Sequence, residues 1–276
     1  MTRTKRTASR PIANVMRKEW IIIWRNPNNI LFITLVPVLI TVQMLVYIFL
    51  AMRFAGAKLL FDTILQGAVE RWLEQFAVRE ALSQEQQLLV FFFGQFPLYA
   101  LLIPCMVSLS FATFSIVEEK QTRTLEPLLA TPVRTSELLL GKALSGLIPS
   151  IIMSFFCTAV FLLGILAMGE GGLIHTVLNL QWWVSLFLLV PLVSLLTFML
   201  GVTGSSRAKD SKSAQNIAVV VVLPIIGLVV IQVLGIVLFS LFKLLMLSAL
   251  LIILNIVVLR LAVRIFSRET ILISWK

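Results

Sequence analysis

The sequence predicts an all-α, polytopic membrane protein with six transmembrane helices, an N-terminal helix lying on the membrane surface and a short helix in one cytoplasmic loop. Three observations predict it. Apolar residues make up 59% of the 276 and only 13% are charged, with a mean hydropathy of +1.00, which leaves too little polar surface to coat a water-soluble globule of this size. The apolar residues fall in long continuous runs, and about 20 of them in helical form cross roughly 30 Å of hydrocarbon. The 23 basic residues collect in the polar breaks between the runs. Continuous runs of this length are helices rather than barrel strands, since a helix satisfies its own backbone in lipid.

Residues 1–29 form a basic tail followed by "PIANVMRKEWIIIWRNPNN", in which Ile12, Val15, Met16, Ile22 and Ile23 mix with Trp20 and Trp24 beside Arg17, Lys18 and Arg25. Aromatic and basic residues combined in this way suit a helix in the headgroup layer. The first span follows at 31–52. It is too long for the apolar core of a signal peptide and has no small-residue cleavage site, so it is expected to stay as a span.

A mixed-charge segment, 53–87, comes next. It places Phe61, Leu65, Val69, Trp72, Leu73 and Phe76 at three- and four-residue spacing, the pattern of an amphipathic helix with one packing face. The second span is expected at 88–117 and the third at 143–168, with the polar stretch 118–142 between them. A Gly-rich link containing His175 leads to the fourth span at 182–204. After the polar break "SSRAKDSKS", the block 214–263 has room for a fifth and sixth span, with the turn expected near 239–243.

Lys and Arg accumulate in cytoplasmic loops. With six spans the two termini share a side. That side holds 18 basic residues, including Lys120, Arg123, Arg134 and Lys142, against five on the other (Arg53, Lys58, Arg71, Arg79 and Lys243). The sequence therefore predicts an integral plasma (inner) membrane protein with both termini in the cytoplasm. The net charge of +10 reads as topology and attraction to anionic lipid, not nucleic-acid binding.

The stretch "EEKQTRTLEPLLATPVRTSELLLGK", 118–142, carries eight charged side chains. At about 2.5–3.5 kcal/mol for each charge at the bilayer centre, it belongs in water. Thr124 can cap a helix with Glu126 and Pro127 in its first turn and Leu125, Leu128 and Leu129 on one face. Pro132 ends that helix, and Thr135 or Ser136 can cap the next one, with Glu137 in its first turn. Two readings fit such an element: a helix that docks a protein partner, and a loop helix whose leucines dip into the lipid surface.

This stretch resembles the cytoplasmic loop between the second and third spans of ABC-2 type permeases, the membrane subunits of ATP-binding-cassette exporters. "RKEWIIIWRNPNNILFITLVPVLI" is similar to the family's interfacial helix and first span, and residues 30–276 then form its six-span domain. The resemblance implies that residues 124–130 are a coupling helix seated on a separate cytoplasmic ATPase subunit. Thr124, Leu125, Glu126, Leu128, Leu129 and Thr131 make that contact, and Glu118, Glu119 and Lys120 cap the span beside it. It also implies a second permease chain, as a homodimer or with a related permease. ATP and Mg2+ are expected in the partner, and no cofactor in this chain.

Other readings rest on less. "GK" at Gly141 and Lys142 lacks the rest of a phosphate loop, and Leu144 to Gly146 only echo the ATPase signature. Glu118, Glu119 and Arg123 spell E-E-x-x-x-R, as in CAAX-type intramembrane proteases, but such chemistry needs histidines and this chain has one. His175 reads as a loop residue, and Cys105 and Cys157 as small packing residues. Gln43, Gln95, Ser108, Asn216 and Gln232 are candidate pathway residues, although most polar side chains within spans bond between helices. Few ionisable groups lie at depth, which points away from proton-coupled carriage and towards amphiphilic or apolar cargo. An ATP-independent carrier or channel is the alternative to an exporter.

Overall fold

The structure is a computed structural model that describes residues 9–25, 27–55, 65–74, 82–121, 135–207, 211–236 and 240–265. Among these every regular element is helical. In chain order they are α1 (Ser9–Arg25), α2 (Pro27–Leu50, continued by a π turn Ala51–Ala55), α3 (Leu65–Leu73), α4 (Gln84–Tyr99), α5 (Leu102–Gln121) and α6 (Thr135–Ala167). A 3-10 turn (Gly171–Leu173) then leads to α7 (Ile174–Val177), α8 (Leu180–Val184), a π turn (Ser185–Leu189), α9 (Val190–Arg207), α10 (Ser211–Val233) and α11 (Leu241–Ile265).

By length and composition five stretches can cross a membrane: 29–54, 84–115, 137–167, 180–205 and 241–263. They correspond to the expected first, second, third, fourth and sixth spans. In α10, where the fifth was expected, the described apolar stretch is the shorter Val222–Val233. The break after it also differs from expectation. It begins at Leu234 to Ile236, where Gly235 adopts φ +66, and Lys243 lies inside α11. Gly235 turns the chain there because a left-handed backbone is open to glycine. A Cβ at that position would also lie 2.6 Å from that of Ala68 in α3.

Local chemistry explains the breaks within spans. Pro27 opens α2 where its missing N–H costs nothing. Ser83 and Gln86 form a reciprocal capping box at the start of α4, with the Gln86 amide donating to Ser83 Oγ and the Ser83 amide to Gln86 Oε1. The second span breaks at Ala100 and Leu101, four and three residues ahead of Pro104. The proline ring excludes the carbonyl of residue 100 from a regular helical turn, and Ala100 instead accepts from Ile103 at 3.0 Å. In the fourth span the wide π turn 185–189 sits directly ahead of Pro191, another common way for a helix to accommodate lost bonding.

The α4–α5 span is central, with 72% of its apolar window buried against 24% for α2 and 22% for α11. Around it, α5 packs on α9, α6, α2 and α10, while α1 lies on α6 and α11 on α9. Glycines permit the closest approaches. A Cβ on Gly146 of α6 would meet the Phe198 ring at 2.6 Å, and one on Gly201 of α9 would meet Ala112 Cβ at 2.8 Å. Small residues at such crossings let backbones approach where lipid offers no hydrophobic drive.

Three apolar clusters stack along the bundle. The proximal cluster, on the side of α1, includes Ile23, Phe111, Leu139, Ala143, Phe198, Val202 and Ala262. A middle cluster centres on Cys105, Leu189, Val193 and Leu251. The distal cluster is aromatic, with Phe96 stacked on Phe161 at 3.8 Å and on Trp182 at 5.5 Å. Helix α3 closes that end by burying Ala68, Val69, Trp72 and Leu73. Val69, Trp72 and Leu73 of the expected stripe therefore pack against the spans. Phe61 and Phe76, also in that stripe, lie outside the described residues.

Candidate functional site: a proximal ion pair and a polar core

The loop that the sequence singles out, with Thr124, Leu125, Glu126, Leu128, Leu129 and Thr131, lies outside the described residues. Glu118, Glu119 and Lys120 belong to the last turns of α5; their side chains are likewise outside the described set. Two helices frame this loop: α5 leads into it and α6 leaves it at Thr135.

Seven residues into α6, Lys142 is 2% exposed. Its Nζ lies 3.1 Å from Glu19 Oε1 of α1, a residue 1% exposed, and donates to Ser115 Oγ of α5 at 2.6 Å. One ammonium group thus joins three helices at the root of the loop. The neighbouring contacts hold α1 in the same register. Trp20 Nε1 donates to the Ser145 carbonyl of α6 at 3.0 Å, and Ser145 Oγ donates to the Lys142 carbonyl at 2.6 Å. Gly141 leaves room for Val15, whose Cβ would stand 2.9 Å from an added methyl. Lys142, expected among solvated cytoplasmic charges, is therefore a buried structural cation.

The sequence carried a signal for this pair. Glu19 is the only acidic residue before Asp62, and it stands at helical spacing with Ile12, Val15 and Ile23, on the stripe that should be apolar. Lys142 likewise falls in step with the buried Leu138, Leu139 and Ser145. Two opposite charges, each on a packing face, satisfy one another because a buried charge needs a partner.

Deeper in the bundle, Ser108 of α5 bonds to Ser150 of α6, Oγ to Oγ at 2.6 Å, and to Ser194 of α9. Ser150 Oγ donates to its own helix at the Gly146 carbonyl. A hydroxyl has one proton, so the order is fixed: Ser194 donates to Ser108, and Ser108 to Ser150. The chain ties three helices without a charge. Towards the distal end, Gln232 Nε2 of α10 donates to Gln95 Oε1 of α4 at 2.5 Å, and beside the middle cluster Asn255 Nδ2 of α11 donates to the Leu192 carbonyl of α9 at 3.0 Å.

Of the candidate pathway residues, Gln95 and Gln232 thus meet each other and Ser108 joins the serine chain. Gln43 is on the exposed face of α2 and donates to Tyr47 at 2.9 Å. Asn216 lies in α10, its side chain outside the described set. Cys105 and Cys157 are buried free thiols, in keeping with packing roles, and His175 sits in the short α7. Among the described residues no group of three His, Cys, Asp or Glu is placed to hold a metal ion.

The described helices, the ion pair and the serine chain all fall within residues 13–261, apart from the ends of α1 and α11, and over that range the chain matches the family model described as "ABC-2 family transporter protein". No curated protein and no solved structure matches it.

Proposed function

The chain belongs to the ABC-2 family of transporter proteins, the membrane permeases of ABC-type transporters that work with an ATPase partner, and from that premise we propose that it is an export permease driven by a separate cytoplasmic ATPase. Residues 124–130 form the coupling helix in this reading, with Leu125, Leu128 and Leu129 making the apolar contact and Glu126 the charged one. Thr124 and Thr131 flank it, and Glu118, Glu119 and Lys120 end the span beside it. ATP and Mg2+ bind in the partner. Both termini face the cytoplasm, and a second permease chain, identical or related, completes the membrane part.

The observation that carries the reading is the Lys142 junction. Any displacement of the loop reaches α5 and α6 first, and Lys142 ties both helices to α1 through Ser115 and Glu19. A push on the loop then moves three elements together and shifts the balance between inward-facing and outward-facing arrangements of the bundle. The exposure of Ile21 and Trp24, 46% and 56%, supports a headgroup-level position for α1.

The test is purification of the tagged chain in mild detergent, comparing wild type with the Glu126→Lys, Leu128→Asp double variant. A soluble ATPase recovered with wild type and lost with the variant is the expected result. An intact, inserted chain that brings down no ATPase would move the reading to an ATP-independent carrier.

A further inference from the structure

At the distal end a cleft opens between α3, α4, the start of α8, α10 and α11. Trp72, Trp182, Asn179, Ser185 and Gln232 are among its walls, and no charged side chain among the described residues lines it. Its free volume is about 20 Å³, enough for a hydroxyl or a single water and too small for a ring. Gly94 shapes one side: the Trp72 ring lies where a Cβ would be, 2.1 Å from Cζ2.

Three buried polar atoms here have no hydrogen-bond partner: Trp182 Nε1, Gln95 Nε2 and Gln232 Oε1. Trp182 and Gln232 line the cleft, and Gln95, behind the wall, is bonded to Gln232. Their residues are only 4%, 3% and 6% exposed. Buried donors and acceptors left unmatched are strongly disfavoured, so such groups are found paired. One donor and one acceptor on the cleft wall, with no charged side chain among the described residues lining it, call for a neutral group that accepts and donates at once, which is the description of a hydroxyl. Trp183 and Phe187, which follow the cleft residues Trp182 and Ser185 in the chain and stack on each other at 5.8 Å, are exposed at 45% and 59%, an apolar surface for a chain attached to that hydroxyl.

We propose that this cleft is a binding site for the uncharged hydroxyl headgroup of an amphiphile, held by Trp182 Nε1 and by Gln232 Oε1, which Gln95 fixes from behind, with its apolar tail along Trp183 and Phe187. The proposal concerns binding and stands whether or not the partner ATPase is as described above.

Native mass spectrometry of the detergent-purified full chain reads it directly, with 1-monooleoylglycerol, methyl oleate and glycerol as probes. Monooleoylglycerol should be retained at least about tenfold better than methyl oleate, which has the same tail and no hydroxyl. Trp182→Phe keeps the ring and removes the donor, and Gln232→Met keeps the bulk and removes the amide. Each should reduce that preference several-fold while leaving retention of methyl oleate unchanged. Millimolar glycerol, which carries the hydroxyls without the tail, should lower retention of monooleoylglycerol and leave that of methyl oleate unchanged, and no effect on either would count against hydroxyl recognition. Equal retention of the two oleoyl probes by wild type, or a preference untouched by both variants, would overturn the proposal and leave the cleft a water site. The wild-type comparison needs no variant to fold.

Discussion

Replacing Lys142 with Met should destabilise this protein more than replacing any exposed charge, and a second change at Glu19 should undo most of the damage. At 3.1 Å the gross attraction of the pair is about 5 kcal/mol for an effective dielectric constant of about 20. Much of that offsets the desolvation of two side chains that are 1% and 2% exposed. In Lys142→Met the carboxylate of Glu19 stays buried without its cation, a loss of about 3–5 kcal/mol. Glu19→Met leaves the ammonium without its carboxylate in the same way, with Ser115 as a remaining partner, so its loss should be smaller. Glu19→Met with Lys142→Met removes both charges and should return to within about 1–2 kcal/mol of wild type, since apolar replacement of a buried pair is often close to neutral. Thermal or SDS unfolding of the purified chain measures all four proteins, and the coupling energy from the cycle should reach at least 2 kcal/mol. Additive single effects would refute the idea that the two groups satisfy one another. If the pair also transmits motion, the double Met protein should be stable, recover its ATPase partner and transport poorly.

Two other outcomes follow from the geometry. Ser108→Ala removes the middle of the serine chain and leaves Ser194 to bond elsewhere; a loss of about 0.6–2 kcal/mol in the same unfolding assay is expected, and Ser194→Ala in that background should add almost nothing. Gly94→Ala puts a methyl where the Trp72 ring lies, so α3 must shift away, and faster hydrogen exchange over residues 65–73 should report it while the proximal end is unaffected.

The span layout was legible because hydropathy is a property of contiguous sequence. Apolar runs of 20 or more residues have few alternatives in lipid, and first, second, third, fourth and sixth spans appear where the runs lie. Breaks within spans were harder. Prolines 104 and 191 marked where bonding must be lost, but whether a helix kinks, breaks or widens into a π turn depends on what its neighbours can accommodate. The turn before α11 is expected near 239–243, because the length of the apolar block 214–263 suits two spans. Its start at Leu234 to Ile236 reflects Gly235, where a left-handed backbone and the close approach of α3 coincide. Among the candidate polar residues, Gln95 and Gln232 were picked individually; nothing local says that residues 137 positions apart share a hydrogen bond.

By itself, the sequence determined that this protein is a membrane-embedded helical bundle and marked five of the stretches long and apolar enough to cross, because those outcomes follow from the free energy of moving contiguous side chains and backbone out of water. Its loop and first-span motifs pointed to the same family as the model matched over 13–261. Only the tertiary structure decided which charges are solvated and which are buried. The positions of Glu19 and Lys142 on otherwise apolar stripes mark each as a charge out of place, but that the two meet is decided only when α1 is laid against α6. Burial is a property of what comes to lie alongside, and the partner that makes a buried charge tolerable is supplied by another helix.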